Sequence, residues 1–177
     1  MLAENCRNDG AMAARENGMP TEQDKQYMRL AIRLMREAGV VDRTGGPFGA
    51  VIVLDGRVLA VAGNRVLQDS DPTAHAEMNA IRQASRVLGT HDLSGAVLYT
   101  SCECCPMCYA AAYWARIGKI YYAAAWHDYN DLFDDEAIGR DTGLPYAERL
   151  LKPEPLLRDE AREVWAEFRA LPDGARY

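Results

Sequence analysis

Apolar residues recur at helical spacing early in the chain, with Tyr27, Met28, Ala31, Leu34, Met35 and Ala38 on one face. Thr21 with Asp24 three residues on predicts a capping box at the start of that helix, and Gly39 predicts its stop. The pattern then changes. "GPFGAVIVLDGRVLAVAGN" holds two β-branched runs split by Asp55 and Gly56, which predicts a hairpin. Residues 75–88 predict a helix ending at Gly89, "GAVLYTS" (95–101) a short buried strand, Pro106 to Arg116 a second helix, and "GKIYYAAA" (118–125) a third core strand. Trp126 to Pro145 is acidic and has no apolar period, which predicts mainly a long loop. A last amphipathic helix spans 158–170, with Val164, Trp165 and Phe168 on one face. Strands separated by helices predict a three-layer α/β domain.

Composition narrows the class. At 177 residues, 49% of them hydrophobic and 26% charged, the chain suits one soluble globular domain. The stretch 1–18 is polar, lacks the apolar core of a secretory signal, and reads as a disordered extension before a domain at 19–177. No apolar run approaches the roughly 20 residues of a membrane span; cysteines crowded as in a cytosolic metal or redox site make a cytoplasmic protein the expectation. A net charge of −6 without a basic block disfavours a nucleic-acid partner, whose binding rests on phosphate neutralisation.

Cysteine usage carries the chemistry. Four of the five cysteines crowd into "CECCPMC", too close together to staple distant parts of a fold. A metal or redox site fits better. Pro106 sets a helix start and makes Cys105 its N-cap, so Cys105 and Cys108 share the face of the first turn. A helix N-terminus favours thiolate, the form that binds zinc. His75 stands at the start of its own helix in "DPTAHAE" (71–77). Three protein ligands, His75, Cys105 and Cys108, leave a fourth tetrahedral position, as catalytic zinc sites do. Glu77, two residues from His75, is then the natural proton carrier. Cys102 and Cys105 are also three apart, so a four-cysteine structural zinc site and a redox pair remain open on these residues alone.

Taken together, His-x-Glu followed thirty positions later by Cys-Pro-x-x-Cys is a zinc-deaminase signature. Its companions are "GGPFGAVIV" (45–53), Asn64, "LYTSCECCPMC" (98–108), "YWAR" (113–116), "YYAA" (121–124), "FDD" (133–135) and the final Tyr177. On these residues the chain resembles the cytidine deaminase-like superfamily, and within it the bacterial guanine deaminases. The resemblance implies a three-layer α/β/α sandwich around a central mixed sheet, one Zn2+ per chain, and hydrolytic deamination of guanine to xanthine and ammonia. It implies that His75, Cys105 and Cys108 hold the metal and Glu77 shuttles the proton, with Asp135 as a second carboxylate near the departing amine. Phe48, Asn64, His75, Ala76, Trp114 and Tyr177 would bind the substrate. A homodimer, in some relatives with exchanged C-terminal segments, is the implied assembly. Each assignment has a plainer rival: Asn64 as a turn residue, Phe48 and Trp114 as core, Asp135 as part of a solvated acidic loop. Rival substrates keep the chemistry and change the ring, to guanosine, cytosine or an amino-triazine such as ammeline; a tRNA adenosine is opposed by the acidic balance. Where the family has proline, this chain has Cys104.

Overall fold

The structure, a computed structural model, describes residues 19–174, which fall into two compact units divided after Tyr129. The 1–18 extension and Tyr177 lie outside the described residues.

In the first unit, α1 (Glu22–Arg36) opens on the expected capping box: the Asp24 N–H donates to Thr21 Oγ1 at 3.1 Å, and the Thr21 N–H donates to Asp24 Oδ2 at 2.7 Å. Asp24 also accepts from the buried Tyr99 hydroxyl, which ties the start of α1 to the sheet. The expected stop at Gly39 is not where the helix ends. One wide π-type turn carries it on through Glu37–Val41. A Cβ on Gly39 would stand 2.5 Å from Pro47 Cα, so this glycine serves a close backbone approach rather than a helix stop.

Strands β1 (Gly49–Leu54) and β2 (Arg57–Gly63) form the predicted hairpin. Asp55 and Gly56 at its tip both have positive φ, 51° and 77°, as a type I′ turn requires. With β3 (Val97–Cys102) and β4 (Lys119–Ala124) they make a sheet of order β2-β1-β3-β4. β1 runs antiparallel to β2 and β3, whereas β3 and β4 are parallel, so the sheet is mixed. Alternation along β1 sends Val51 and Val53 to one face, where Ala31 of α1 and Tyr99 meet them. Ala50 and Ile52 go to the other face. There they meet Leu98 and the alanine-rich sides of α3 (Ala76–Leu88) and α4 (Pro106–Trp114). Helix, sheet and helix give the expected three layers. α2 (Val66–Asp69) is a single turn between β2 and α3.

The second unit holds α5 (Asp135–Thr142) and α6 (Arg158–Ala170). α5 corrects the expectation of a long loop over 126–145. Asp134 caps it, accepting the Ala137 N–H at 3.0 Å, but Ala137 and Ile138 are its only apolar residues, too few to set a period. None of the described residues of this unit is buried. Among the described residues no helix is long and apolar enough to cross a membrane.

Candidate active site

Two helix starts meet on the α3/α4 side of the sheet. His75 is the N-cap of α3 and Cys105 the N-cap of α4, with Pro106 at the first helical position. The approach to α3 is pinned by the Arg65 N–H donating to Ala74 O at 2.9 Å, and by Asn79 Nδ2 reaching Gly63 O and Ala74 O. His75 Nδ1 lies 3.6 Å from the Sγ of Cys105 and 3.6 Å from that of Cys108. With lengths of about 2.05 Å to nitrogen and about 2.3 Å to sulfur, a zinc tetrahedron has an N···S edge of about 3.6 Å. The donor set therefore fits zinc in both chemistry and spacing. Cys102 and Cys104 stand outside this group of three, which opposes a closed four-cysteine site.

Burial shapes the electrostatics. Cys105 and Cys108 titrate as one unit: the hydrogen bond from Cys108 draws the Cys105 thiol down to about 4, helped by His75, while the same bond and burial push Cys108 up. One thiolate forms readily, and the second proton leaves when a cation takes its place. Glu77 is 4% exposed, and burial holds its carboxyl above the usual range. The Thr100 hydroxyl donates to Glu77 Oε1 at 3.2 Å and pulls the other way. Burial first, and then the neighbouring Glu77 charge, push the Cys104 thiol up, so it stays protonated.

Of the other expected residues, the substrate-binding Asn64, Phe48, Ala76 and Trp114 lie in the first unit and the catalytic Asp135 in the second. Asn64 is buried; its N–H donates to Phe48 O at 3.0 Å, and its Oδ1 accepts the Val66 N–H at 3.0 Å. Phe48 packs on the α3/α4 core and sets its ring against Tyr129, centroids 5.8 Å apart at 76°. Ala76 is fully buried at the first position of α3. Trp114 closes α4, with 62% of its surface exposed. Asp135 is the first residue of α5 in the second unit, half-buried there. Thr100 was missed by pattern reading. Its signal was the strand period in "LYTSC", which puts Thr100 on the same face as Leu98 and Cys102.

A profile of the cytidine and deoxycytidylate deaminase zinc-binding region matches residues 21–124. The chain belongs to that family. Zinc is thus its cofactor, and the enzyme class is nucleobase deaminase. Among the family's deaminases, the guanine deaminase of Bacillus subtilis is 48% identical over 126 residues, covering 71% of this chain and 80% of that one. The X-ray structure of guanine deaminase from Bacillus subtilis superimposes with a TM-score of 0.82 at 40% identity, covering 86% of this chain and 98% of the other. A tRNA-specific adenosine deaminase of Agrobacterium fabrum is 50% identical over 98 residues, 55% of this chain and 63% of that one.

Proposed function

We propose that this deaminase hydrolyses guanine to xanthine and ammonia in the cytoplasm, with His75, Cys105 and Cys108 holding one zinc ion and Glu77 moving the proton. The observation that carries the reading is a buried carboxylate two residues from a three-donor cluster whose N···S separations are 3.6 Å. Bound zinc supplies a nucleophile at neutral pH, because it brings the pKa of water down to about 7. Glu77 takes the water proton, delivers it to the ring nitrogen beside the amino-bearing carbon, and then helps protonate the departing amine. Its burial keeps that proton from exchanging freely with solvent, and Thr100 holds one carboxylate oxygen in place. Asn64 offers its amide donors to an acceptor on the base edge. Phe48 presents an aromatic wall, and Ala76 brings backbone to the substrate at the helix start. Asp135, Trp114 and Tyr177 keep the roles that the family resemblance implies. Guanine is chosen over other rings because the guanine deaminase of Bacillus subtilis is matched over 71% of this chain and 80% of its own, against 55% and 63% for the tRNA-specific adenosine deaminase.

The same reading makes the protein a homodimer, the assembly that the family resemblance implies, in some relatives with exchanged C-terminal segments. It is supported by a second unit that buries no described residue and exposes Leu150, Leu151, Leu156 and Trp165. A solution mass of about 39 kDa, twice 19.7 kDa, is expected from light scattering; 19.7 kDa would refute the dimer. For the activity, purified protein is incubated with guanine, guanosine, cytosine, ammeline and adenine, and ammonia is measured. Guanine should be preferred at least tenfold, and a larger rate on any other ring would overturn the substrate assignment.

A further inference from the structure

Gly45 does not need to be glycine for its own backbone. Among the described residues the glycines with positive φ are Gly56, Gly89 and Gly95, and Gly45 is not among them. What excludes a side chain at 45 is Asn64. A Cβ on Gly45 would stand 1.9 Å from Asn64 Oδ1, 2.9 Å from Asn64 Cγ and 3.2 Å from the Val66 nitrogen. Neither partner yields easily. Thr44 is tied to Asn64 O through its hydroxyl at 2.7 Å, and Thr44 O accepts from the N–H groups of Leu67 and Gln68, both at 3.0 Å. Asn64 is in turn held by its N–H to Phe48 O.

This clamp also sets which way the Asn64 amide points. Oδ1 faces the Val66 N–H, so Nδ2 must face the opposite way. No group among the described residues accepts from Nδ2. Among the described residues, the fully buried side-chain polar atom without a partner is Trp126 Nε1, and Asn64 Nδ2 is not one of that kind. A donor pair is thus left without a protein acceptor among the described residues, on a side chain that is 3% exposed.

We infer that Gly45 is a positioning residue for base recognition: its missing side chain lets the Asn64 amide lie against the loop backbone with Nδ2 presented to an acceptor on the ring edge. The inference rests on the base-reading role proposed for Asn64 and adds the residue that enforces it. Gly45→Ala would displace the amide by an ångström or more, and a misplacement of about 1 Å costs up to about a hundredfold in rate.

The test is a double-mutant cycle of wild type, Gly45→Ala, Asn64→Ala and the double variant. It follows kcat/KM on guanine, xanthine binding by calorimetry, zinc content and melting temperature. Gly45→Ala should lower kcat/KM tenfold or more and weaken xanthine binding with zinc retained, and Asn64→Ala should cost at least as much. The double variant should match Asn64→Ala alone, because the clash has gone with the amide. Should Gly45→Ala also lower the melting temperature, Asn64→Ala added to it should restore that loss. A costly Asn64→Ala with a silent Gly45→Ala, or a Gly45→Ala loss repeated in full without Asn64, would overturn the positioning role alone. A silent Asn64→Ala would overturn the base-reading role as well.

Discussion

Thr100→Val removes one hydroxyl from a buried strand and leaves the volume almost unchanged. Thr100 is 1% exposed, Glu77 4%, and the hydroxyl donates to Glu77 Oε1 at 3.2 Å. Hydrogen bonds to charged groups contribute roughly 1.5–3 kcal/mol. At 3.2 Å this one is longer than the usual hydroxyl–oxygen distance, so the lower figure applies, about 1.5 kcal/mol, or roughly tenfold in rate. The bond favours the ionised carboxylate, whereas burial disfavours it. Losing it therefore raises the Glu77 pKa further, and the acidic limb of kcat/KM moves to higher pH. The assay is guanine turnover across pH 5–9 with zinc measured on each sample. Thr100→Val should show the displaced limb and roughly a tenfold loss at neutral pH, with zinc unchanged; Thr100→Ser, which keeps the hydroxyl, should follow wild type. A Thr100→Val profile that superimposes on wild type would refute the claim that this bond helps hold Glu77 ionised against its burial.

Cys104→Pro should keep zinc and most activity: Cys104 lies outside the ligand group, its N–H donates to no backbone oxygen among the described residues, and it lines a cavity of about 400 Å3. Zinc analysis showing a sharp loss would make Cys104 a ligand after all. Tyr99→Phe takes one donor from the buried Asp24 carboxylate and should cost about 1–3 kcal/mol by chemical denaturation, without touching zinc. Asp135→Ala should lower turnover on guanine while zinc content and fold remain, and unchanged kinetics would remove Asp135 from the reaction.

The first unit was legible because local rules and tertiary needs agree there. The capping box at Thr21, the turn at Asp55 and Gly56, and the helix start at Pro106 each have a sequence signature tied to backbone chemistry. The grouping of His75, Cys105 and Cys108 was legible for the same reason, since both helix starts that bring them together are written locally as "PTAHAE" and "CCPMC". Gly39 was misread because a glycine required by a neighbouring chain, here Pro47, looks in sequence like one required by its own φ. α5 was missed because its start is signalled by a cap at Asp134 without an apolar face to follow. The Thr100 bond and the Gly45–Asn64 contact join residues 23 and 19 positions apart, which no local pattern contains.

Glu77→Ala, with zinc and ammonia measured on the same preparation, tests the central claim most directly. Glu77 is placed to carry protons and stands outside the three-donor ligand group, so the variant should hold one zinc per chain and release ammonia from guanine at least a hundredfold more slowly. Zinc lost along with Glu77, or ammonia released at the wild-type rate without it, would contradict the account.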